Sequence, residues 1–235
     1  MNASMRYWGI VPAAGSGSRM QQKIPKQYLP LLASTVLDTT LQRLKSLDLF
    51  EKILVPLSPE DTRWNESISS ADNLFLTVVG GSKRSYSVVA AIEALTGVAD
   101  EQDWVLVHDS ARPCFPTGDI RSMISLLSEH PVGGLMAVPI SDTVKQVNDG
   151  AVVSGTLNRK ALWRAQTPQM FRYGLLKKAL EQAHEERFDM TDEASAIELF
   201  GLKPAVVKGS EANIKITFPE DLLLAEFYLE KLSGE

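Results

Sequence analysis

The residues best suited to chemistry in this 235-residue chain form a glycine-rich segment, residues 9–20, which reads GIVPAAGSGSRM. It overlaps the end of a short apolar run, residues 7–11, that predicts a buried strand. Glycines allow the backbone to approach a ligand closely, and successive N–H groups in such a loop can bind an anion. Arg19 and Lys26 add positive charge close by. This combination favours a nucleoside triphosphate as the ligand.

Two common phosphate-binding motifs do not match this segment. A P-loop needs Lys followed by Ser or Thr directly after its glycines, and no such pair follows these glycines. A dinucleotide fingerprint needs a third glycine where Met20 stands, and an acid at the end of the second strand, which reads LVPL over residues 54–57. An ordinary glycine-rich turn remains the structural alternative. Arg19 and Lys26 favour the phosphate site, because a plain turn does not require them.

Two later segments carry residues that could join the same site. Residues 80–87, GGSKRSYS, follow the third predicted strand and open a helix, whose N-terminus favours an anion, although a serine-capped loop is the simpler interpretation. Asp109, at the end of another predicted strand, can hold Mg²⁺, and Arg112 can bind a phosphate bidentately. A strand-end Asp with a surface Arg as its partner is the structural alternative. We expect His108 to be a packed residue.

For two other charged segments, the sequence alone favours a structural role. The charges in residues 189–193, DMTDE, are expected to stabilise the N-terminus of the helix that follows. Lys215 lies in a strand-like run, residues 213–217, for which a solvated edge strand is the simpler interpretation. No pairing of a nucleophile with a base emerges. Cations, backbone donors and one acid are nevertheless what nucleotidyl transfer needs, because its catalysis rests on alignment and charge stabilisation.

Apolar strands alternate with amphipathic helices along most of the chain. The predicted strands are residues 7–11, 52–56, 74–79, 104–108, 135–138 and 204–207. This alternation predicts one α/β domain over residues 1–235, Rossmann-like, with a mostly parallel twisted sheet and helices on both faces. Such sheets bind ligands beyond the carboxyl ends of their strands. The glycine-rich loop and Asp109 should therefore meet at one edge.

Two local signals stand outside this alternation. Asp149-Gly150, between two short β-prone runs within residues 144–156, predicts a β-hairpin, which we expect to protrude as an arm at about residues 140–160. Because a two-stranded hairpin is marginal by itself, it should pack on another surface. Thr217 and Glu220 form a predicted capping box with Pro219 in the first turn of the last helix. We expect that helix to pack against the sheet.

Composition excludes several classes of protein. The net charge of −5 lacks the basic footprint of a nucleic-acid binder, and three scattered His with one Cys argue against a zinc site. The single cysteine, Cys114, cannot form an internal disulfide and fits a reducing cytoplasm. No apolar run approaches the roughly 18 residues of a membrane span, and no signal-peptide pattern is visible. We expect a cytoplasmic protein that binds neither nucleic acid nor membrane.

Seven ordered motifs, spread over nearly the whole chain, carry a family resemblance. They are PAAGSGSRM (12–20), PKQY (25–28), VHDSARP (107–113), DTVK (142–145), QTPQ (166–169), TDEA (191–194) and NIK (213–215). Together they resemble 2-C-methyl-D-erythritol 4-phosphate cytidylyltransferase, the third enzyme of the non-mevalonate route to isoprenoid precursors. The resemblance implies that the chain joins CTP to methylerythritol phosphate, with Mg²⁺, and releases pyrophosphate.

The resemblance also implies residue roles. Arg19 and Lys26 would stabilise charge on the CTP α-phosphate, and Asp109 would help place Mg²⁺ and the substrate. The residues that would contact the cytidine nucleotide are Ala13, Ala14, Gly15, Gly81, Ser82, Arg84 and Ser87. Those that would bind methylerythritol phosphate with Asp109 are Arg112, Thr143, Arg159 and Lys215, of which Arg159 and Lys215 would also be catalytic.

In the resembled family the hairpin clasps a second subunit, and the arginine that matches Arg159 reaches the neighbour's active site. The resemblance therefore implies a homodimer formed through the arm. Two positions depart from the family pattern: Ser82 stands where members often carry an acid beside the cytidine, and Ser110 replaces a common alanine. We expect slightly different base contacts as a result.

Two alternatives remain at this stage. The first is a cytidylyltransferase for another polyol phosphate, such as ribitol 5-phosphate, which would differ in the hairpin half that carries Thr143 and Arg159. The second is a non-catalytic CTP sensor, whose CTP binding would not depend on Arg19 or Lys26. Retention of every charged position speaks against the sensor.

Overall fold

Strands and helices alternate through residues 5–15 and 24–232, the parts of the chain that the computed structural model describes. The strands are β1 (Tyr7–Ile10), β2 (Pro30–Leu31), β3 (Ser34–Thr35), β4 (Lys52–Leu57), β5 (Phe75–Val79), β6 (Trp104–Val107), β7 (Gly133–Pro139), β8 (Lys145–Val147), β9 (Val153–Thr156), β10 (Trp163–Arg172) and β11 (Ala205–Lys208). The helices are α1 (Val36–Lys45), α2 (Arg84–Ala94), α3 (Thr117–Leu127), α4 (Tyr173–Glu185), α5 (Glu193–Leu199) and α6 (Glu220–Leu232).

Seven strands form the central sheet, in the order β11-β7-β10-β6-β1-β4-β5. Strand β10 runs antiparallel to its neighbours β6 and β7, and the remaining neighbours are parallel. The mostly parallel sheet predicted from the sequence is confirmed. All six predicted strands are present, and the largest difference in bounds is at β7, predicted over residues 135–138 and observed over Gly133–Pro139.

Helices cover both faces of the sheet. Since side chains alternate between the faces along each strand, neighbouring residues of one strand pack against different helices. Trp104 and Leu106 of β6 pack into one apolar core together with α1 and α3. Val105 and Val107, the alternate residues, pack into a second core with α2, α4 and α5. Strands buried on both faces read as continuous apolar runs, which is why the sequence identified them.

Strand β10 is the central element that sequence reasoning missed. Its middle, residues 166–169, is polar and contains Pro168, and a proline argues against a central strand because it cannot donate to the ladder. The pairing of β10 with β7 shifts register between Ala165 and Gln169, so the proline falls within the irregularity. Because β10 is antiparallel, its first half lies at the edge where β6 and β7 end.

The last helix, α6, begins at Glu220, two residues later than a cap at Thr217 implies, and it is capped differently. Backbone N–H groups of Thr217 and Phe218 donate to the Asp221 carboxylate at 2.8 and 2.9 Å. The predicted box between Thr217 and Glu220 is therefore wrong, since the helix starts only at Glu220 and Asp221 reaches back to the two amides. The predicted packing is also wrong: α6 packs on a separate small core with β2 and the start of α1 instead of on the main sheet.

The predicted hairpin is present as the antiparallel pair β8 and β9, which is separate from the main sheet. It extends the antiparallel pair β7 and β10, and nearly all of its side chains are exposed. Its loop, residues 148–152, is closed by the Asn148 carboxamide, which accepts N–H groups of Gly150 and Val152 at 3.1 and 3.0 Å. Among the described helices, none is long and apolar enough to cross a bilayer.

Candidate active site

Loops that follow β1, β5 and β6 border one cavity of about 320 Å³ at the carboxyl edge of the sheet. This size lies within the usual range for small-ligand pockets, about 300–1,000 Å³. The lining residues used below are Ala14, Gly15, Lys26, Gln27, Gly81, Ser82, Arg84, Ser87, Asp109, Ser110 and Lys215. The edge location follows from the topology, since β1 lies between β6 and β4 and all three end there.

The first loop is held in place by a residue to which the sequence assigned no role. The Gln27 amide group donates to the carbonyl oxygens of Ala13 and Gly15 at 2.6 and 3.0 Å. Gln27 is 3% exposed, and its bond to Ala13 is buried. The only sequence signal for it was its place in the PKQY motif. Arg19, the predicted catalytic residue of this loop, lies outside the described residues.

The second loop, between β5 and α2, touches the first. A Cβ added at Gly80 would lie 2.7 Å from Ala14 Cβ and 2.9 Å from Ser87 Oγ, so only glycine allows this approach. The Ser87 hydroxyl accepts the N–H of Gly81 at 3.1 Å. Ser87 lies inside α2 and bonds back to this loop, whereas the cap residue of α2 is Lys83, which makes no side-chain cap bond. The serine cap of the simpler sequence interpretation is therefore wrong for this helix. Ser87 lines the cavity together with Ser82.

Asp109 is the electrostatic centre of the cavity. Its Oδ1 accepts from Arg84 Nε at 2.8 Å, and its Oδ2 lies 2.9 Å from Lys215 Nζ and 3.3 Å from Arg112 Nε. Burial by itself would raise the pKa of Asp109, but attraction from these three cations outweighs it and holds that pKa well below its usual range. The carboxylate therefore stays ionised and concentrates positive charge at this wall.

Arg84 connects Asp109 to a second buried carboxylate that the sequence analysis set aside. Its Nη1 and Nη2 donate to Glu193 Oε1 and Oε2 at 2.6 and 3.0 Å. Burial by itself would lower the pKa of Arg84, but the two carboxylates raise it above the ordinary value. The expectation that charges of residues 189–193 stabilise the N-terminus of the following helix is confirmed for Asp192, which caps α5, and for Glu193, which lies in its first turn. The sequence did not show that Glu193 also binds Arg84.

Lys215 lies in an irregular loop, so the edge-strand interpretation of residues 213–217 is wrong. Tertiary contacts fix this loop: the Ile216 N–H donates to the Ala111 carbonyl at 2.8 Å, and Arg112 Nη1 donates to the Asn213 carbonyl at 2.7 Å. Lys26 Nζ donates to the Ile216 carbonyl at 3.0 Å. Two lysines about 190 positions apart in sequence are thereby placed at the same wall of the cavity.

His108 is buried behind this wall, as the sequence analysis expected. The Thr167 hydroxyl accepts the Asp109 N–H at 3.0 Å, so its proton is available to His108 Nδ1 at 3.2 Å. His108 Nε2 then donates to the Arg112 carbonyl at 2.9 Å. Burial lowers the pKa of His108 from 6.5 to about 4, which keeps the ring neutral. These hydrogen bonds connect Thr167 of β10 to the turn that carries Asp109.

His108 should make the stability of the protein depend on pH. Because the folded-state pKa is about 4 and the unfolded value about 6.5, its contribution is complete above pH 6.5 and is lost as pH falls. We expect about 3 kcal/mol less free energy of unfolding at pH 4 than at pH 7.5 from this residue. Urea unfolding of His108→Gln across this range should give a flatter profile than wild type. The exposed-site variant His184→Gln should keep the wild-type slope; identical slopes for all three would contradict the assignment.

The comparisons with known proteins agree on one family. Its sequence profile, described as IspD, 2-C-methyl-D-erythritol 4-phosphate cytidylyltransferase, matches residues 8–231. This chain belongs to that family. A cytidylyltransferase of the same description from Hahella chejuensis (strain KCTC 2396) is 49% identical over 230 residues, 98% of this chain and 95% of that protein. One from Vibrio vulnificus (strain CMCP6) is 44% identical over 222 residues, 94% of each.

Solved structures of this cytidylyltransferase family share the fold. The crystal structure of the Francisella tularensis 2-C-methyl-D-erythritol 4-phosphate cytidylyltransferase has a TM-score of 0.84 and is 38% identical, covering 95% of this chain and 99% of that chain. The Thermus thermophilus enzyme has a TM-score of 0.76 at 28% identity, covering 96% of this chain and 100% of that chain.

Four described residues that the cytidylyltransferase resemblance assigned to CTP or methylerythritol phosphate do not line the cavity in the single chain. Ala13, predicted to contact the nucleotide, is buried. Arg112 lies behind Asp109, with its guanidinium bound to Asp109 and Asn213. Thr143 and Arg159 are exposed at the base of the arm, and the Arg159 guanidinium donates to the Ser141 carbonyl. Their roles toward substrate stay predictions, as do those of the cavity residues.

Proposed function

We propose that this protein transfers the cytidylyl group of CTP to 2-C-methyl-D-erythritol 4-phosphate, giving 4-diphosphocytidyl-2-C-methyl-D-erythritol and pyrophosphate. The observation that carries the proposal is the convergence of Lys26, Lys215 and Asp109 on one cavity that the glycine-rich loops also line. The loops suit a nucleotide, and the wall that carries these charged residues suits two phosphate-bearing reactants. Membership of the family supports the choice of substrates.

The chemistry assigned to the charged wall is stabilisation of an in-line displacement. An oxygen of the substrate phosphate attacks the α-phosphorus of CTP and forms the new P–O bond, while the bond from the α-phosphorus to the bridging oxygen breaks and pyrophosphate leaves. Negative charge grows on the α-phosphate oxygens during this step, and a fixed cation there lowers the barrier. Lys26 supplies that cation, and Arg19 is proposed to act beside it.

The acceptor substrate is proposed to bind at Asp109 and Lys215. The Asp109 carboxylate stays ionised and can accept hydrogen bonds from the hydroxyl groups of a polyol. Lys215 has a side chain that is 37% exposed, so its ammonium can turn from Asp109 toward a phosphate without a change in the backbone. Arg112 supports the site from behind by holding Asp109 and the 213–216 loop.

Mg²⁺ is proposed as an ion that the triphosphate carries into the site. Both oxygens of Asp109 already face cations, and within residues 5–15 and 24–232 no group of three or more acidic, His or Cys side chains could hold a metal. Mg²⁺ commonly binds through one or two carboxylates together with substrate phosphates, so Asp109 would offer one oxygen to the ion once Lys215 turns toward a phosphate. When bound, the ion neutralises charge on the triphosphate.

We also propose that the enzyme acts in the cytoplasm as a homodimer joined by the β8–β9 arm. Exposed apolar side chains on the arm support an interface, because such patches mark contact sites. They are Val147, Val152 and Val153. The lone cysteine, Cys114, supports a reducing compartment. It is buried, and burial raises the pKa of its thiol to about 12, so it is unreactive.

Release of pyrophosphate tests the activity. Purified protein with CTP should release pyrophosphate with methylerythritol phosphate but not with ribitol 5-phosphate, and EDTA should abolish the release until Mg²⁺ is restored. Equal rates with both acceptors would assign the chain to a broader polyol phosphate activity. CTP binding without release from either acceptor would identify the sensor instead.

A further inference from the structure

We propose that Glu193 is a positioning residue for the acceptor site, acting on Asp109 through Arg84. The inference rests on the proposed function, because it assigns acceptor binding to Asp109 and Lys215. Glu193 is 2% exposed and both of its oxygens bind the Arg84 fork. The third donor of that guanidinium, Nε, is directed at Asp109 Oδ1. Arg84 is therefore shared between two carboxylates in one fixed orientation.

This sharing decides what remains available on Asp109. Because Glu193 occupies both terminal nitrogens of Arg84, Arg84 reaches only one oxygen of Asp109. The other oxygen stays with Lys215 at 2.9 Å. Without the Glu193 charge, the Arg84 fork can pair with both oxygens of Asp109, which is the preferred geometry of an arginine–carboxylate pair. Lys215 would then lose its partner, and Asp109 would lose its capacity to accept substrate hydroxyls.

The surroundings of Glu193 hold it rigidly. It is the first residue of α5, where the helix dipole favours an anion. Gln169 of β10 anchors that helix end: its Nε2 donates to Asp192 at 2.8 Å, and its Oε1 accepts the Ala194 N–H at 2.8 Å. Gln169 is itself buried. The carboxylate therefore cannot follow Arg84 if the guanidinium moves toward Asp109.

Packing alone does not account for a charged pair at this place. Replacing a buried ion pair by apolar residues of similar volume is often neutral or stabilising, so burial of Glu193 and Arg84 contributes little that a hydrophobic pair would not. What an apolar pair would not do is restrict Arg84 to one oxygen of an adjacent carboxylate. Orientation of Arg84 is the property that requires Glu193.

The variant Glu193→Gln keeps the shape of the side chain and removes its charge. We expect KM for methylerythritol phosphate to rise about tenfold while KM for CTP changes less than about twofold. Glu198→Gln, an exposed position on the same helix, is the matched control and should behave as wild type. Unchanged KM for the acceptor in Glu193→Gln, or equal increases in both KM values, would overturn the proposal.

A double-variant cycle separates positioning from a general loss of structure. If Glu193 acts only through Arg84, Arg84→Ala with Glu193→Gln should have the acceptor KM of Arg84→Ala alone, since the coupling is complete. Additive increases in acceptor KM would overturn the inference. If Glu193→Gln does not fold, Glu193→Asp replaces it. Its shorter carboxylate should give a smaller rise in KM for methylerythritol phosphate, again with little change in KM for CTP. Wild-type values of both constants would contradict the proposal.

Failure of this inference can be told apart from failure of the proposed function. Wild-type protein assayed in parallel must release pyrophosphate with methylerythritol phosphate for the function to stand. An inactive wild type refutes the function, whereas an active wild type with an equally active Glu193→Gln refutes only the positioning role.

Discussion

Replacing Lys26 by alanine is expected to lower kcat for cytidylyl transfer between about 100-fold and 1,000-fold, while KM for CTP changes less than about threefold. The reason is that the charge Lys26 meets on the α-phosphate develops mainly in the transition state. Its ammonium is held at the cavity by the Ile216 carbonyl, so its position precedes substrate binding. Steady-state kinetics with each substrate varied in turn measure both constants.

The control for Lys26→Ala is Lys208→Ala, an exposed lysine on the edge strand β11, which should leave both constants unchanged. Thermal unfolding should show that both variants fold. A Lys26→Ala enzyme whose kcat and CTP affinity fall by the same factor would place Lys26 in ground-state binding and refute the catalytic assignment.

Mixing two inactive variants, Arg159→Ala and Lys26→Ala, is expected to restore about a quarter of wild-type activity if the dimer has two-fold symmetry and the subunits exchange at random. Half of the dimers are then mixed, and each has one complete site. In that site Lys26 comes from the Arg159→Ala subunit and Arg159 comes from its partner. The placement of Arg159 on the exposed arm, outside the cavity of its own chain, motivates the test.

Each variant assayed alone is the baseline for this mixing experiment. Two different affinity tags isolate the mixed dimers and establish that they formed. Isolated mixed dimers without activity would place Arg159 in its own subunit's site. A protein that is monomeric at the assay concentration would refute a site shared between subunits.

Local patterns in the sequence were sufficient for most of the fold. Strands buried on both faces are continuous apolar runs, and the helices between them carry apolar residues at helical spacing, so β1, β4, β6, α1 and α2 were predictable. The hairpin was predictable because Asp-Gly between β-prone runs is a local signal. Strand β10 was not, since its polar centre and Pro168 hide a strand that only its neighbours β6 and β7 stabilise.

The sequence by itself determined the chemical inventory: a glycine-rich loop, the cations Lys26 and Lys215, and Asp109 at a strand end. Only the tertiary structure decided which charges share a carboxylate. Lys215 reaches Asp109 because Ile216 and Asn213 bind the loop beyond β6, and Glu193 meets Arg84 because Gln169 anchors α5. These pairs are separated by about a hundred positions, and electrostatic contacts at such separations depend on chain packing, which local spacing does not encode.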